Sequence, residues 1–255
     1  MRALLTLTIT LALCAATTAS HQADPAQSRW PGNRRAAIAL TYDDALESQL
    51  DVAIPQLDAA GVKGTFFLMG RQVGWRVPDW RRASDRGHEL GNHTVNHPCA
   101  RGTYDMPAQY TSEAYTVDLV MTEVRVMNGF LQAMDNRPMH AFATPCGQNL
   151  AGGQDYLAPL QQSKLASYIR DTRTLAPSVL YTSFTDASGA DMIRWVEEVR
   201  RAGAAGVIVF HGVGGDYLSV SREAHLELVG YLKARHNEIW VATFTEMMKR
   251  VASAQ

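Results

Sequence analysis

Three polar clusters in this sequence each close an apolar run, and each carries side chains that handle protons or cations. Ala36–Tyr42 runs directly into Asp43-Asp44. Adjacent carboxylates after a buried strand repel each other and resist desolvation, and a divalent cation commonly offsets that repulsion. A solvated turn or a helix cap accounts for the same pair. His93-Thr94-Val95-Asn96-His97 sets two imidazoles at i and i+4, on one face if the segment turns helical, and imidazole is the commonest protein ligand for zinc-like metals. Two unrelated surface histidines are the competing account. Upstream, His88-Glu89 gives HExxxH rather than the HExxH of zinc proteases, and Glu89 falls inside a strand-like run. Val207-Ile208-Val209-Phe210 ends in His211, followed by Gly212-Val213-Gly214-Gly215-Asp216-Tyr217. A titratable His beside a Gly-rich loop that lets backbone approach a ligand suits a proton donor. A buried His bonded to backbone is the alternative. The chain has neither GxxxxGK[ST] nor GxSxG, which argues against a phosphate cradle and a serine hydrolase.

The elements that must position these clusters alternate. Strand-like runs at Ala36–Tyr42, Val62–Met69, Glu89–Thr94, Ala141–Pro145, Leu165–Arg170, Gly206–His211 and Ile239–Phe244 are separated by amphipathic stretches. Those stretches include Leu46–Ala60, Glu113–Met134, Asp191–Ala202 and Ser221–Arg235, with Ser188 and Asp191 spaced as a capping box. Short apolar strands alternating with helices predict a parallel sheet covered by helices. About seven such units in one domain favour a barrel-like arrangement over a doubly wound open sheet. In that architecture strand C-termini converge on one face, which brings the three clusters together. One carboxylate with two imidazoles supplies three ligands and leaves a coordination position open, the catalytic form of a zinc-type site. A carboxylate and a histidine then remain as general base and general acid. Pro98–Gln109 fits neither period and reads as a long loop.

The ends set the context. Met1-Arg2, an apolar run and the small residues Thr17-Thr18-Ala19-Ser20 predict a secretory signal peptide over 1–20, cleaved near Ser20 or Ala23. The run is short and Thr-interrupted for a membrane span, so no stable membrane insertion is expected after cleavage; an uncleaved anchor is the other reading. Leu13 before Cys14 argues against a lipoprotein cleavage site. A polar lead-in over 21–33 and one domain over 34–255 follow. Lys and Arg total 24 against 25 Asp and Glu, with no basic aromatic cluster, so nucleic acid is not an expected partner. Beyond the leader only Cys99 and Cys146 remain, and in an oxidising compartment two cysteines are more often paired than free. Oligomeric state is not legible.

Taken in order, Thr41-Tyr42-Asp43-Asp44, His93-Thr94-Val95-Asn96-His97, Thr144-Pro145-Cys146-Gly147 and Val209-Phe210-His211 resemble the motifs of the NodB-homology polysaccharide deacetylases, carbohydrate esterases on a distorted (β/α) barrel with outer helices. The resemblance spans Ala36 to Phe244. It implies Asp44, His93 and His97 as metal ligands, for zinc most often, although cobalt or nickel suits the same donors. It implies Asp43 as the base that deprotonates the attacking water, His211 as the acid for the leaving group, and the Cys146 backbone N–H as an oxyanion donor. If the second and third motifs line one pocket, a Cys99–Cys146 disulfide would brace it. Two departures stand out. Ala143 occupies the place where the third motif often begins with an Arg that orients the base, and the fourth motif's Asp and Trp have no clean match, Asp186 and Trp195 being nearest. Tyr104, Tyr217 and Trp240 are candidate sugar-stacking residues, and Glu246 is placed in a helix's first turn. The implied activity is metal-dependent deacetylation of an acetylated carbohydrate outside the cytoplasm or in the periplasm. N-acetylglucosamine-containing glycan comes first. O-acetyl esters such as those of xylan-like polysaccharides, or an inactive carbohydrate-binding module, are the alternatives.

Overall fold

Every residue of Ala36–Asp43 is buried, as a strand covered on both faces requires, and this strand, β1, lies inside a parallel sheet. The computed structural model describes residues 29–253. After β1 come α1 (Ile54–Ala60), β2 (Thr65–Leu68), α2 (Gly70–Val73), α3 (Val77–Asp85) and β3 (Glu89–Asn92). The middle of the chain supplies α4 (Val117–Asp135), β4 (Phe142–Ala143), a small antiparallel ladder of β5 (Leu150–Ala151) with β6 (Gln154–Asp155), and α5 (Leu157–Ser163). The last third is β7 (Ile169–Arg170), β8 (Val179–Ser183), α6 (Gly189–Ala202), β9 (Ala205–Phe210), α7 (Arg222–Ala234), β10 (Ile239–Val241) and α8 (Phe244–Ala252).

The strands run in the order β7-β4-β3-β2-β1-β9-β8, all parallel, with β10 laid beside the start of β1. Among the described residues no ladder joins β7 to β8, so the sheet curls as an open, distorted barrel, the predicted class. Three core clusters cover it: Ile38, Leu40, Tyr42 and Phe66 pack beneath α1, α6 and α7, Ala37, Ala39, Phe67 and Val207 face α8, and Phe142 and Ile169 pack with α4 and α5. Strand β8 was not anticipated, because its burial is mixed and its sequence carries no sustained apolar run. Ser188 caps α6 by accepting from the Asp191 N–H, but the Asp191 carboxylate takes the Ser188 hydroxyl rather than a backbone donor. Glu246 completes a capping box with Thr243 at the start of α8.

The signal segment over 1–20 lies outside the described residues. The lead-in needs correction at its end: Trp30 is only 2% exposed, lies tilted against Trp240 with ring centroids 6.4 Å apart, and donates from its indole to the Gly203 carbonyl. A buried indole recovers enough hydrophobic free energy to tie down its neighbours, so residues 29–33 belong to the domain.

Candidate active site and metal centre

The loops after β1, β3, β4, β7 and β9 meet at one end of the barrel, around a cavity of about 780 Å³ lined by Asp43, Asp44, His93, His97, Cys146, Arg170 and His211, among others. All three clusters of the sequence reading therefore share one pocket. The HxxxH segment is not helical. Thr94 and His97 take left-handed backbone, φ 64° and 58°, and this double kink, rather than a helix face, turns the two imidazoles together. The Nε2 atoms of His93 and His97 stand 3.1 Å apart, and Asp44 Oδ1 lies 3.4 and 3.3 Å from them. These separations lie close to the ~3.4 Å edge of a tetrahedron with ligand bonds near ~2.1 Å.

The chemistry of the donors fits a divalent cation as well as the spacing does. His93 Nδ1 faces the Ala143 carbonyl at 2.9 Å; a carbonyl only accepts, so Nδ1 carries the hydrogen, and in the neutral ring Nε2 turns its lone pair to the cluster. Asp44 Oδ1 is buried without a hydrogen-bond partner, and Tyr217 donates to Oδ2 at 2.9 Å. Burial works to raise Asp44, yet the His93 hydrogen bond and the charges of His93, His97 and His211 hold it well below the usual carboxylate range. Burial and the neighbouring His93 press His97 down to about 4, leaving it neutral with a free lone pair. For His93, burial is outweighed by Asp43 and Asp44, which raise it: the cluster attracts positive charge.

Asp43 faces the same cavity and is held from an unexpected strand. Arg170, at the end of β7, donates from Nη2 to Asp43 Oδ2 at 2.5 Å and from Nη1 to Thr41 Oγ1 at 3.1 Å. Arg170 and Ala143 are register partners on adjacent parallel strands, so their side chains leave the sheet on the same face. The guanidinium missing at Ala143 is supplied one strand over. Burial opposes the charge on Arg170, and Asp43 offsets it. Asp43 Oδ1 stays buried without a partner beside the cluster.

Two further residues brace the loops and were not read from the sequence. Glu123, buried on α4, accepts from the Val95 and Asn96 N–H groups at 3.1 and 3.0 Å and from the Tyr115 hydroxyl at 2.6 Å, fixing the backbone between the two histidines. Its signal was a carboxylate on the apolar face shared with Val120, Val124 and Met127. Gln49 donates from Nε2 to the carbonyls of Asp43 and His211, at 2.5 and 3.0 Å, tying the ends of β1 and β9; no sequence signal marks it. Arg170 closes an apolar strand as Asp43 does, and that was its available signal.

Cys99 and Cys146 form a disulfide, and Cys99 Sγ lies 3.5 Å from His97 Nδ1. His211 Nε2 is 3.9 Å from Asp44 Oδ2. Its loop folds back tightly enough that a Cβ on Gly212 would sit 2.1 Å from the Gly215 carbonyl oxygen, so only glycine fits. Tyr104 and Tyr217 line the cavity. Trp240 does not: it pairs with Ala37 at the far end of β1, six residues and about 20 Å of strand from Asp43, where it packs on Trp30. Trp195 is half-buried, packed against the core and Phe184, and Asp186 lines a separate hollow between α6 and α7. Neither stands in for the fourth motif.

Residues 32–160 match the family model of polysaccharide deacetylases. A peptidoglycan-N-acetylglucosamine deacetylase of Bacillus cereus is 37% identical over 65 residues, 25% of this chain and 24% of that protein. One of Listeria monocytogenes is 33% identical over 79 residues, 31% and 16% of the two. The matched segments thus span about a quarter or less of these relatives. Among solved structures, the Bc1960 peptidoglycan N-acetylglucosamine deacetylase superposes with a TM-score of 0.60 at 19% identity over 85% of this chain and 89% of that one. The Xyl-CE4 domain of a multidomain xylanase from a Trinervitermes trinervoides hindgut metagenome gives 0.54 at 20% identity, over 85% and 91%. By the match over half its length, this chain belongs to the polysaccharide deacetylase family.

Proposed function

We propose that this chain is a divalent-metal hydrolase that removes acetyl groups from a carbohydrate, with N-acetylglucosamine-containing glycan as the first substrate class. The observation that carries the reading is the joint geometry of Asp44, His93 and His97 with an Arg170-held Asp43 on one side and His211 on the other. A divalent ion held by the three ligands would supply Lewis-acid polarisation of the acetyl carbonyl and charge for the developing oxyanion. The rest of the work falls to the chain. Asp43, its Oδ2 fixed by Arg170, accepts the proton of the attacking water on Oδ1. The Cys146 N–H faces the oxyanion as a second donor. His211 protonates the departing amine or alcohol. The same atoms serve O-acetyl esters, the second substrate class. The disulfide and the apolar leader support a secreted or periplasmic setting.

The test is acetate release from a panel of N- and O-acetylated glycans, with and without a chelator, followed by re-addition of zinc, cobalt or nickel. Metal-sensitive release from an N-acetylated glycan is expected. Release untouched by complete metal removal would sink the metal role, and no release from any substrate would leave a binding module.

A further inference from the structure

Two tryptophans five positions apart after β2 meet opposite fates. Trp80 is fully buried in the core, whereas Trp75 is 78% exposed, the most exposed large hydrophobic side chain among the described residues. Single exposed apolar residues are ordinary; this one is built. Gly74, at φ 50° and ψ −137°, turns the chain so that the indole points outward, in a conformation side-chain-bearing residues avoid. The Arg76 guanidinium lies 5.0 Å from the Trp75 ring centroid. That guanidinium is itself clamped, by Asp51 at 2.8 Å, by Asp79 at 2.5 Å and by Glu47, and its side chain is only 14% exposed. An arginine fixed by three carboxylates is a rigid plate; stacked on the indole, it orients that ring and leaves the rest of its surface open.

The location gives the platform a use. The segment from Gly70 to Arg76 leaves β2 at the same barrel end as Asp43 and His93, and Arg71 and Gln72 line the cavity. Trp75 follows Gln72 by three residues, a reach of at most about 11 Å, the scale of a disaccharide. Trp75 is not itself among the residues lining the cavity, and a planar aromatic surface at that remove can offer its face to the C–H side of a pyranose ring lying outside it. We infer that Trp75 forms a distal saccharide subsite, stacking a sugar of the chain whose acetyl group lies at the metal cluster. This inference rests on the carbohydrate-deacetylase reading above.

The test compares wild type with Trp75→Ala and Trp75→Phe on a long N-acetylglucosamine oligomer and on the disaccharide. Loss of one aromatic stacking contact predicts that the ratio of kcat/KM for long over short substrate falls roughly tenfold in W75A and much less in W75F. A second readout needs no turnover. In an Asp43→Asn background, the long oligomer should change tryptophan fluorescence, and Trp75→Phe should remove most of that change. An unchanged length ratio in W75A together with an unaltered fluorescence response would overturn the subsite and leave the indole for a protein or membrane contact. If wild type releases no acetate, the functional reading fails, while the fluorescence titration still decides whether Trp75 binds glycan.

Discussion

Replacing Arg170 tests the link between architecture and chemistry most directly. Its guanidinium is 2% exposed and Asp43 is 7% exposed at the side chain, so the pair is removed from water on both sides. Arg170→Ala leaves a buried carboxylate without its partner and strips Thr41 of a donor. Breaking a buried pair costs about 3–5 kcal/mol, a large share of the ~5–15 kcal/mol that holds a domain together. The variant should therefore melt earlier, and activity must be measured where circular dichroism shows it folded. There, a base released from its hydrogen bond loses alignment with the water it deprotonates. Misplacement on the scale of 1 Å costs about 10²-fold, so kcat should fall at least that much with metal content intact. Arg170→Lys, a point charge in place of a fork, should recover part of the stability and little of the rate. The decisive arm moves the cation. Adjacent strands lie about 4.8 Å apart, within the swing of an arginine side chain, so Ala143→Arg combined with Arg170→Ala should regain activity over Arg170→Ala alone. A folded Arg170→Ala enzyme with wild-type kcat would refute the assignment of Arg170 as the residue that positions Asp43.

Glu123→Gln should weaken metal affinity by about 10–100-fold, read by competition with a chelating dye, because the carboxylate that fixes the Val95 and Asn96 N–H groups orients both histidines; wild-type affinity would limit Glu123 to a stabilising role. His225 sits buried between the Tyr42 hydroxyl at 2.7 Å and the Gln56 amide oxygen at 2.6 Å, and burial lowers it from 6.5 to about 3. The unfolded chain then binds the extra proton first, so stability falls as pH drops below 6.5, by up to ~1.4 kcal/mol per pH unit, and levels off near 3. Urea unfolding of wild type and His225→Gln between about pH 6 and pH 4 should give a shallower slope in the variant, and parallel slopes would reject the coupling.

What the sequence disclosed and what it withheld divide along a physical line. Asp44, His93, His97 and His211 were legible because each closes a strand whose apolar run is visible in the chain, and parallel strands deliver their C-termini to one face. The sheet followed from the same runs, apart from β8, whose half-exposed face gives neither a continuous nor an alternating pattern. Arg170, Glu123 and Gln49 were hidden because their roles exist only across space: Arg170 acts on Asp43 from 127 positions away, and Gln49 reaches the His211 carbonyl from 162 positions away. Trp240 failed as a sugar contact for a related reason. Residue type named it, while its register beside Ala37 put it at the wrong end of the barrel.

The backbone around the cavity shows why those hidden braces are needed. Of the eleven non-glycine residues with positive φ among the described residues, seven lie in the loops that build the site: Asp44, Ala45, Thr94, His97, Cys146, Asp216 and Leu218. Asn136 and Lys164, by contrast, merely end helices, where a left-handed residue is ordinary. Left-handed backbone at non-glycine residues costs of order 1–3 kcal/mol each and persists only where surrounding structure over-determines it. Here the surroundings are Glu123 for Thr94 through His97, Gln49 for the Asp43 and His211 ends, the Ser48 N–H bonded to Asp216, and the Cys99–Cys146 disulfide for His97 and Cys146. The disulfide closes a separation of 47 residues, which on chain entropy alone is worth roughly 4 kcal/mol. A loose site would let these residues relax and the three ligands spread apart under the repulsion of the Asp pair. The braces hold the three candidate ligand atoms 3.1–3.4 Å apart, so that the ordering cost of the proposed site is met by folding and not by a cation or a substrate.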